Sequence, residues 1–293
     1  MGFRTVLINS RCKLEYKMNY LVCRGDEVKR IFISEISTLI ISNSAVVVTV
    51  PLLNELVKNK VKVIFCDEKH NPLMELVSYY DSYNSVKKIN NQINWSDAFK
   101  KDVWTSIVKN KIQHQKEFLE ELNLTTEANL LDSYLEDVQE NDSTNREGHS
   151  AKVYFSALFG KSWHREMLDF KNNALNYGYT IVLSAFNREL VKLGYLTQLG
   201  IWHKNQFNDF NLSCDFMEPF RVLVDRKVYF LKEDDRDFKK KLISILSDKV
   251  IINNKEMFVE DAISVYVQSV VTALNEKDLS KVLFFEMRSV NAV

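Results

Sequence analysis

The chain has 293 residues, 46% of them apolar and 27% charged, with a formal net charge of zero. That length is too great for one small core and comfortable for two domains. The neutral balance argues against indiscriminate nucleic-acid binding without excluding a local basic face, and the small stock of breakers, 7 Gly and 3 Pro, excludes collagen-like repeats, long linkers and a turn-rich all-β chain.

The chain opens on a section predicted to be strand-rich. Residues 3–8, 12–17, 20–24, 27–33, 36–41 and 45–48 are short runs dense in β-branched and aromatic side chains. Met18-Asn19 stands where a tight hairpin turn is needed. Pro51 opens a short helix in the first turn, where proline is tolerated. Residues 61–66 and 73–77 return as strands on either side of a turn at 67–72. This sandwich-like N-terminal domain is assigned to residues 1–80, and the polar, Asn-rich stretch 81–95 to a linker. From Ser96, the predicted cap of a helix reaching about Leu122, the pattern becomes helical. Apolar Val103, Ile107, Ile112 and Phe118 recur there, with Lys100, Lys101, Lys109 and Lys111 among them. Further helices are predicted near 126–139, 146–159, 173–193, 213–222, 235–248 and 258–276, before a partly ordered tail from Leu279. The fold class is α+β: a β-rich N-terminal domain, then a larger all-α domain over 96–293.

Lys87-Lys88, Lys100-Lys101 and Lys239–Lys241 read as solvated faces. Cys12, Cys23, Cys66 and Cys214 form no CxxC pair, which leaves free thiols in a reducing cytoplasm as the expectation. No run of about 18 apolar residues predicts a membrane span, and the N-terminal apolar run is too short for a signal peptide.

The stretch 199–225, LGIWHKNQFNDFNLSCDFMEPFRVLVD, carries the densest chemistry. His203 is followed by Asp215 and Glu218, which at i, i+3 share a helix face. Imidazole plus carboxylates is a ligand set for Mn²⁺ or Mg²⁺, and the neighbouring Arg221 suits a phosphate. Pro219 fits only if that helix has just begun, which would place Asp215 and Glu218 at its positive end, with Asp215 as an N-cap. Glu147, in DSTNREGHSAKVYF, has two readings: the last residue of a capping box begun by Thr144, or a ligand, with Gly148 beside it for the close approach of another helix or a ligand backbone. Asn173, Asn176, Tyr177 and Tyr179 open a helix whose phenols are expected to pack in the core.

Taken in order, NREGHSAKVYF, NALNYGYT and GIWHKNQFNDFNLSCDFMEPFRVLVD resemble the CRISPR-associated integrase-endonuclease family called Cas-one, in its type II-A branch. The opening GFRTVLINSRCKLEY and the segment IFCDEKHNPL extend the resemblance over essentially the whole chain. It implies a β-rich dimerisation domain and a helical catalytic domain. It places the metal ligands on Glu147, His203 and Glu218, with Asp215 in support. Some branches of the family have Asp where this chain has Glu218.

The activity implied is insertion of short foreign DNA into a repeat array. A DNA 3′-hydroxyl attacks a phosphodiester, with Mn²⁺ or Mg²⁺ bound by three side chains and positions left open. His203 is required neutral, so activity should fall at acid pH. Arg146, His149 and Arg221 are candidates for phosphate contacts, and Asn205 and Gln206 for strand ends or bases. The implied partners are duplex DNA, a second copy of the chain and the small ferredoxin-like Cas-two in a heterohexamer. A ring-forming DNA-end protein and Cas9 complete the implied set. Two alternatives stand beside this reading: a stand-alone metal-dependent nuclease on branched DNA in repair, and a non-catalytic DNA-binding scaffold.

Overall fold

The structure, a computed structural model, describes residues 2, 4–68, 72–79, 85–233 and 235–287. The chain divides into two compact units, residues 1–81 and 82–293.

The first unit holds strands β1 (Arg4–Ile8), β2 (Lys13–Lys17), β3 (Tyr20–Arg24), β4 (Val28–Phe32), β5 (Ile36–Ile41) and β6 (Val47–Val48). Helix α1 (Val50–Lys58) and strands β7 (Lys62–Cys66) and β8 (Pro72–Leu76) follow. They build two four-stranded sheets, ordered β1-β5-β7-β8 and β4-β3-β2-β6. Strand β5 pairs in parallel with both β1 and β7 and is buried at all six positions, which is why ISTLII reads as a continuous apolar run rather than an alternating one. Met18 and Asn19 turn the β2–β3 hairpin with φ of 48° and 66°. Positive φ at both central residues is what a two-residue hairpin demands, and Asn accepts it more readily than most side chains. Leu14 and Leu21 from one sheet and Leu39 and Val63 from the other meet Leu52 and Leu56 of α1 in one core. Of the turn placed at 67–72, residues 69–71 lie outside the described residues, as do 81–84 of the stretch read as a linker. The remainder of that stretch is not a bare connection. Residues Ser85–Ile93 form helix α2, and Gln92 bonds the backbone of Leu196 and Leu199 through both ends of its amide.

The second unit continues with α3 (Asp97–Glu121), α4 (Thr125–Glu136), α5 (Arg146–Phe159), α6 (Phe170–Lys192), α7 (Asn211–Met217) and α8 (Arg221–Phe230). Then come α9 (Phe238–Ile243), β9 (Lys249–Ile252), β10 (Lys255–Phe258), α10 (Val259–Glu276) and β11 (Phe285–Glu286). Helix α6 is buried on most sides, as expected of a helix at the centre of a bundle. Ser96 caps α3 by accepting from the Phe99 N–H.

Three differences from the sequence expectation have local causes. The helical unit carries a small sheet, β10-β9-β11, whose hairpin turns on Asn253-Asn254 at φ of 52° and 57°. The tail from Leu279 is held: β11 pairs with β9, and Phe285 is buried against His114 and Phe220. Residues 288–293 lie outside the described residues. The helix expected at 213–222 is two helices, α7 and α8, joined by a 3₁₀ turn over Glu218–Phe220. Pro219 has no N–H to give the α-helical ladder, so the chain tightens there and resumes at Arg221. Among the described residues no helix is long and apolar enough to cross a membrane, and the four cysteines are free thiols.

Candidate active site

The capping box expected around Glu147 does not form. Asn145 stands at the N-cap of α5 in the left-handed region, φ 52°, and its side chain makes no capping bond. The cap comes from Asp142, which accepts from the Arg146 N–H at 2.7 Å and the Glu147 N–H at 3.1 Å. Thr144 instead donates to the Asp137 carbonyl. A Cβ at Gly148 would lie 2.8 Å from the Asn145 side-chain oxygen, so the glycine leaves room for that amide, which would have to turn aside for a larger residue. Within the chain, the close approach at Gly148 is made by an amide from the preceding turn and not by another helix. Asp142→Ala should cost about 1–2 kcal/mol, the usual worth of an N-cap, and Thr144→Ala far less; urea denaturation of both variants checks this.

Freed from capping, the Glu147 carboxylate accepts from the ammonium of Lys111 on α3. The same ammonium donates to Glu218 Oε2 at 2.5 Å. Glu218 is 5% exposed, and its other oxygen, Oε1, accepts from Arg221 Nε at 2.8 Å. Burial alone would push the Glu218 carboxyl up, but the charges and hydrogen bonds of Arg221 and Lys111 outweigh it and hold the group at about 2. The two cations thus favour Glu218 as a buried anion.

His203 enters from the loop after α6. Asp215 is fully buried in α7, and it is not an N-cap: it lies inside the helix and organises that loop. It accepts from the backbone N–H groups of Ile201, Trp202 and His203 and from His203 Nδ1–H at 2.5 Å. Gly200 lets the chain wrap so closely, since a Cβ there would sit 2.4 Å from the His203 carbonyl oxygen and 2.7 Å from Asp215 Oδ2. With Nδ1 donating, the lone pair of neutral His203 lies on Nε2. The bond to Asp215 is the largest influence raising the His203 pKa, and the Glu218 and Glu147 charges add to it. Trp104 braces the imidazole edge-on at 5.7 Å and stacks on Trp202 at 5.5 Å.

Around the two carboxylates lies a cavity of about 180 Å³ lined also by Gln115, Arg165, Tyr179, Arg221 and Asp225. The guanidinium groups of Arg221 and Arg165 lie over the Tyr179 ring at 4.7 and 5.3 Å, and the Tyr179 hydroxyl donates to Asp225. Tyr179 is thus buried as expected, yet it faces this cavity. Burial pushes the Asp225 carboxyl up to about 6 despite Tyr179 and Arg221. The folded protein therefore keeps this proton at pH values where the unfolded chain has lost it, and stability falls as pH rises from about 4 to 6. Asp225→Asn should remove that fall and stabilise the protein at pH 7.5 by roughly 2–3 kcal/mol. Denaturation at pH 4 and 7.5 measures it, and an unchanged pH slope would refute it.

The remaining candidates are dispersed. Arg146 pairs with Asp137, lies over Tyr134 and meets His149. Asn205 and Gln206 line a separate cleft of about 420 Å³ with His203, Lys204 and Lys100. Asn205 also accepts from the Phe207 N–H, an Asx turn that orders the loop. Lys111, Arg165 and Asp225 were not singled out by the sequence. For Lys111 the signal was its spacing: it follows Ile107 by four and precedes Gln115 by four, along the buried stripe of α3.

Two carboxylates and an imidazole nitrogen suit a hard or borderline divalent cation, and a cationic group already bridges the two carboxylates. Among the described residues no three His, Cys, Asp or Glu side chains form a ready cage for an ion; Lys111 holds the shared position between Glu147 and Glu218.

Comparison with known proteins follows from this architecture. The fold is shared with casposase bound to integration product, at TM-score 0.75 and 18% identity over 94% of this chain and 91% of that one. It is shared equally with a longer chain of a Cas6-RT-Cas1–Cas2 complex, at TM-score 0.76 and 19% identity over 98% of this chain and 36% of that one. The sequence pattern of the family described as CRISPR associated protein Cas1 matches residues 6–256. The CRISPR-associated endonuclease Cas1 of Neisseria meningitidis serogroup C (strain 8013) is 31% identical, over 95% of this chain and 94% of that protein. The chain belongs to the Cas1 family.

Proposed function

We propose that this chain is a DNA integrase-endonuclease of CRISPR adaptation, inserting short captured DNA into a repeat array. The observation that carries the reading is the convergence of Glu147 and Glu218 on one buried cationic position, with His203 near enough to feel both charges, in a Cas1 family member. A 3′-hydroxyl of the captured strand attacks a phosphodiester at the repeat boundary. The new P–O bond forms as the bond to the leaving 3′-oxygen breaks, so the number of phosphodiesters is conserved and no outside energy is needed.

Glu147, Glu218 and His203 Nε2 would hold Mn²⁺ or Mg²⁺, which when bound supplies Lewis acidity toward phosphate oxygens. The chain's own groups prepare for this. Asp215 fixes the imidazole and keeps the proton on Nδ1, Arg221 fixes Glu218 Oε1, and Trp104 limits rotation of the ring. Arg146 and His149 are proposed to contact DNA outside the cavity, Asn205 and Gln206 to meet a strand end beside His203.

The partners proposed are duplex DNA, a second copy through the strand-rich unit, and the Cas2 protein. The last is supported by the Cas1–Cas2 assemblies among the structural neighbours. The type II-A assignment, with Cas9 and the ring-forming DNA-end protein as further partners, and a cytoplasmic location complete the proposal. The test is a strand-transfer assay with a labelled short duplex, a repeat-containing target, Mn²⁺ or Mg²⁺ and the Cas2 partner. Joining of the labelled 3′ end supports the reading. Cutting of branched DNA with no joining under any of these conditions would favour the repair nuclease instead.

A further inference from the structure

Lys111 is 7% exposed, and both of its acceptors are the carboxylates of Glu147 and Glu218. Buried like charges of this kind repel unless a cation lies between them. Here that cation is Lys111, so a divalent ion held by these carboxylates would compete with it. A displaced ammonium needs another counter-ion, because an unpaired charge is costly in a buried place. The cavity supplies one. Lys111 and Asp225 line the same space, and the Asp225 carboxyl, 1% exposed, already feels the Lys111 charge. Its hydrogen-bonding partner is a phenol, Tyr179, and not a cation. Of the two guanidinium groups lining the cavity, Arg221 donates to Glu218 and Arg165 to Asn172 and Asn176. A lysine stem has the rotatable bonds for such a move, where an arginine fork would bind both carboxylates at once.

We propose that Lys111 is a counter-ion with two seats: it holds Glu147 and Glu218 together in the metal-free protein and yields them to a divalent cation by turning across the cavity to Asp225. Lys111 is then a positioning residue. It keeps the two carboxylates preorganised before the ion arrives and sets the ion's affinity by competition. The proposal rests on the metal reading given under the proposed function, and it names the side chains that move.

The test is Mn²⁺ binding by calorimetric titration, with melting of the metal-free protein alongside. Lys111→Met should melt lower without metal and bind Mn²⁺ at least about tenfold more tightly, because the competing charge is gone. Lys111→Arg should keep the melting temperature and bind Mn²⁺ more weakly. Asp225→Asn, which removes the second seat, should weaken binding several-fold, roughly 3–10-fold. In the double variant Lys111→Met/Asp225→Asn that weakening should vanish, since no lysine is left to reseat. Equal or weaker Mn²⁺ binding by Lys111→Met overturns the competition. If that variant does not fold, unaltered binding by both Lys111→Arg and Asp225→Asn overturns it in its place. An Asp225→Asn effect that persists in the double variant overturns the second seat. Glu218→Gln reads the metal assignment separately: if it binds Mn²⁺ as the wild type does, Glu218 is not a ligand and the parent reading fails, whatever Lys111 does.

Discussion

Glu218→Ala is expected to abolish strand joining, a loss of about 10³-fold or more, as when a group stabilising the transferring phosphoryl is removed. Glu147→Ala and His203→Ala should fall to the same floor, because groups acting on one reacting centre do not contribute additively. Glu218 is the sharpest case of the three. It is the most buried and is held ionised by Arg221 and Lys111. Alanine there also strands those two cations, so lost activity alone would not separate chemistry from folding. Glu218→Gln makes the separation. It preserves volume and an oxygen for Arg221 while removing the charge. Joining near the wild-type rate by Glu218→Gln, with its melting temperature unchanged, would show that the carboxylate is not required. Glu147→Ala adds a second discrimination. Since Asp142 caps α5, the alanine variant should keep the helix start intact and lose activity without the destabilisation that a broken cap produces.

Asp215→Ala is expected to produce the largest loss of stability, about 3–5 kcal/mol, the cost of removing one member of a buried charged network. Three successive N–H groups and the imidazole converge on that carboxylate, and a buried donor left without a partner carries its full desolvation penalty. Asp215→Asn should recover part of this, because the amide oxygen still accepts while its NH₂ opposes the remaining donors. Urea denaturation of both variants gives the answer. A loss under about 1 kcal/mol for the alanine would mean that water replaces the carboxylate and the loop is not organised by it.

The two-part architecture and the stretch from His203 to Arg221 were legible in the sequence for the same reason: each depends on patterns within some twenty residues. The all-buried β5, the Met18-Asn19 turn and the long α3 announce themselves through local composition. Glu147 was legible as a site candidate only through the order of motifs, and its local pattern pointed the wrong way. Thr-Asn-Arg-Glu spells a capping box, but Asp142, one turn earlier, takes the N–H groups first. Asn253-Asn254 was a readable hairpin turn obscured by the helical patterns on either side. Lys111 and Asp225 were not legible, because a charged residue on a helix reads as solvent-facing unless its partners are known, and Arg165 lies in the connection between α5 and α6, where nothing local marks it. The partners of Lys111 come from α5 and from the turn after α7, far away in the chain, and spacing within one helix does not reveal them.

The bonds to Asp215 end at His203. From Lys204 to Asp209 the chain is tied by other groups: Asn205 and Asn208 each close a turn onto a following N–H, Asn208 donates to Cys214 and Thr197 to the Asp209 carbonyl, and Asn211 ties the Asn205 and Gln198 carbonyls together. The imidazole and the loop beyond it are therefore separately anchored modules. Phe207, 87% exposed at the loop's tip, and its neighbours are open to exchange while the imidazole stays in register. This is the arrangement a protein engineer would choose to vary an exposed loop without disturbing the histidine beside it.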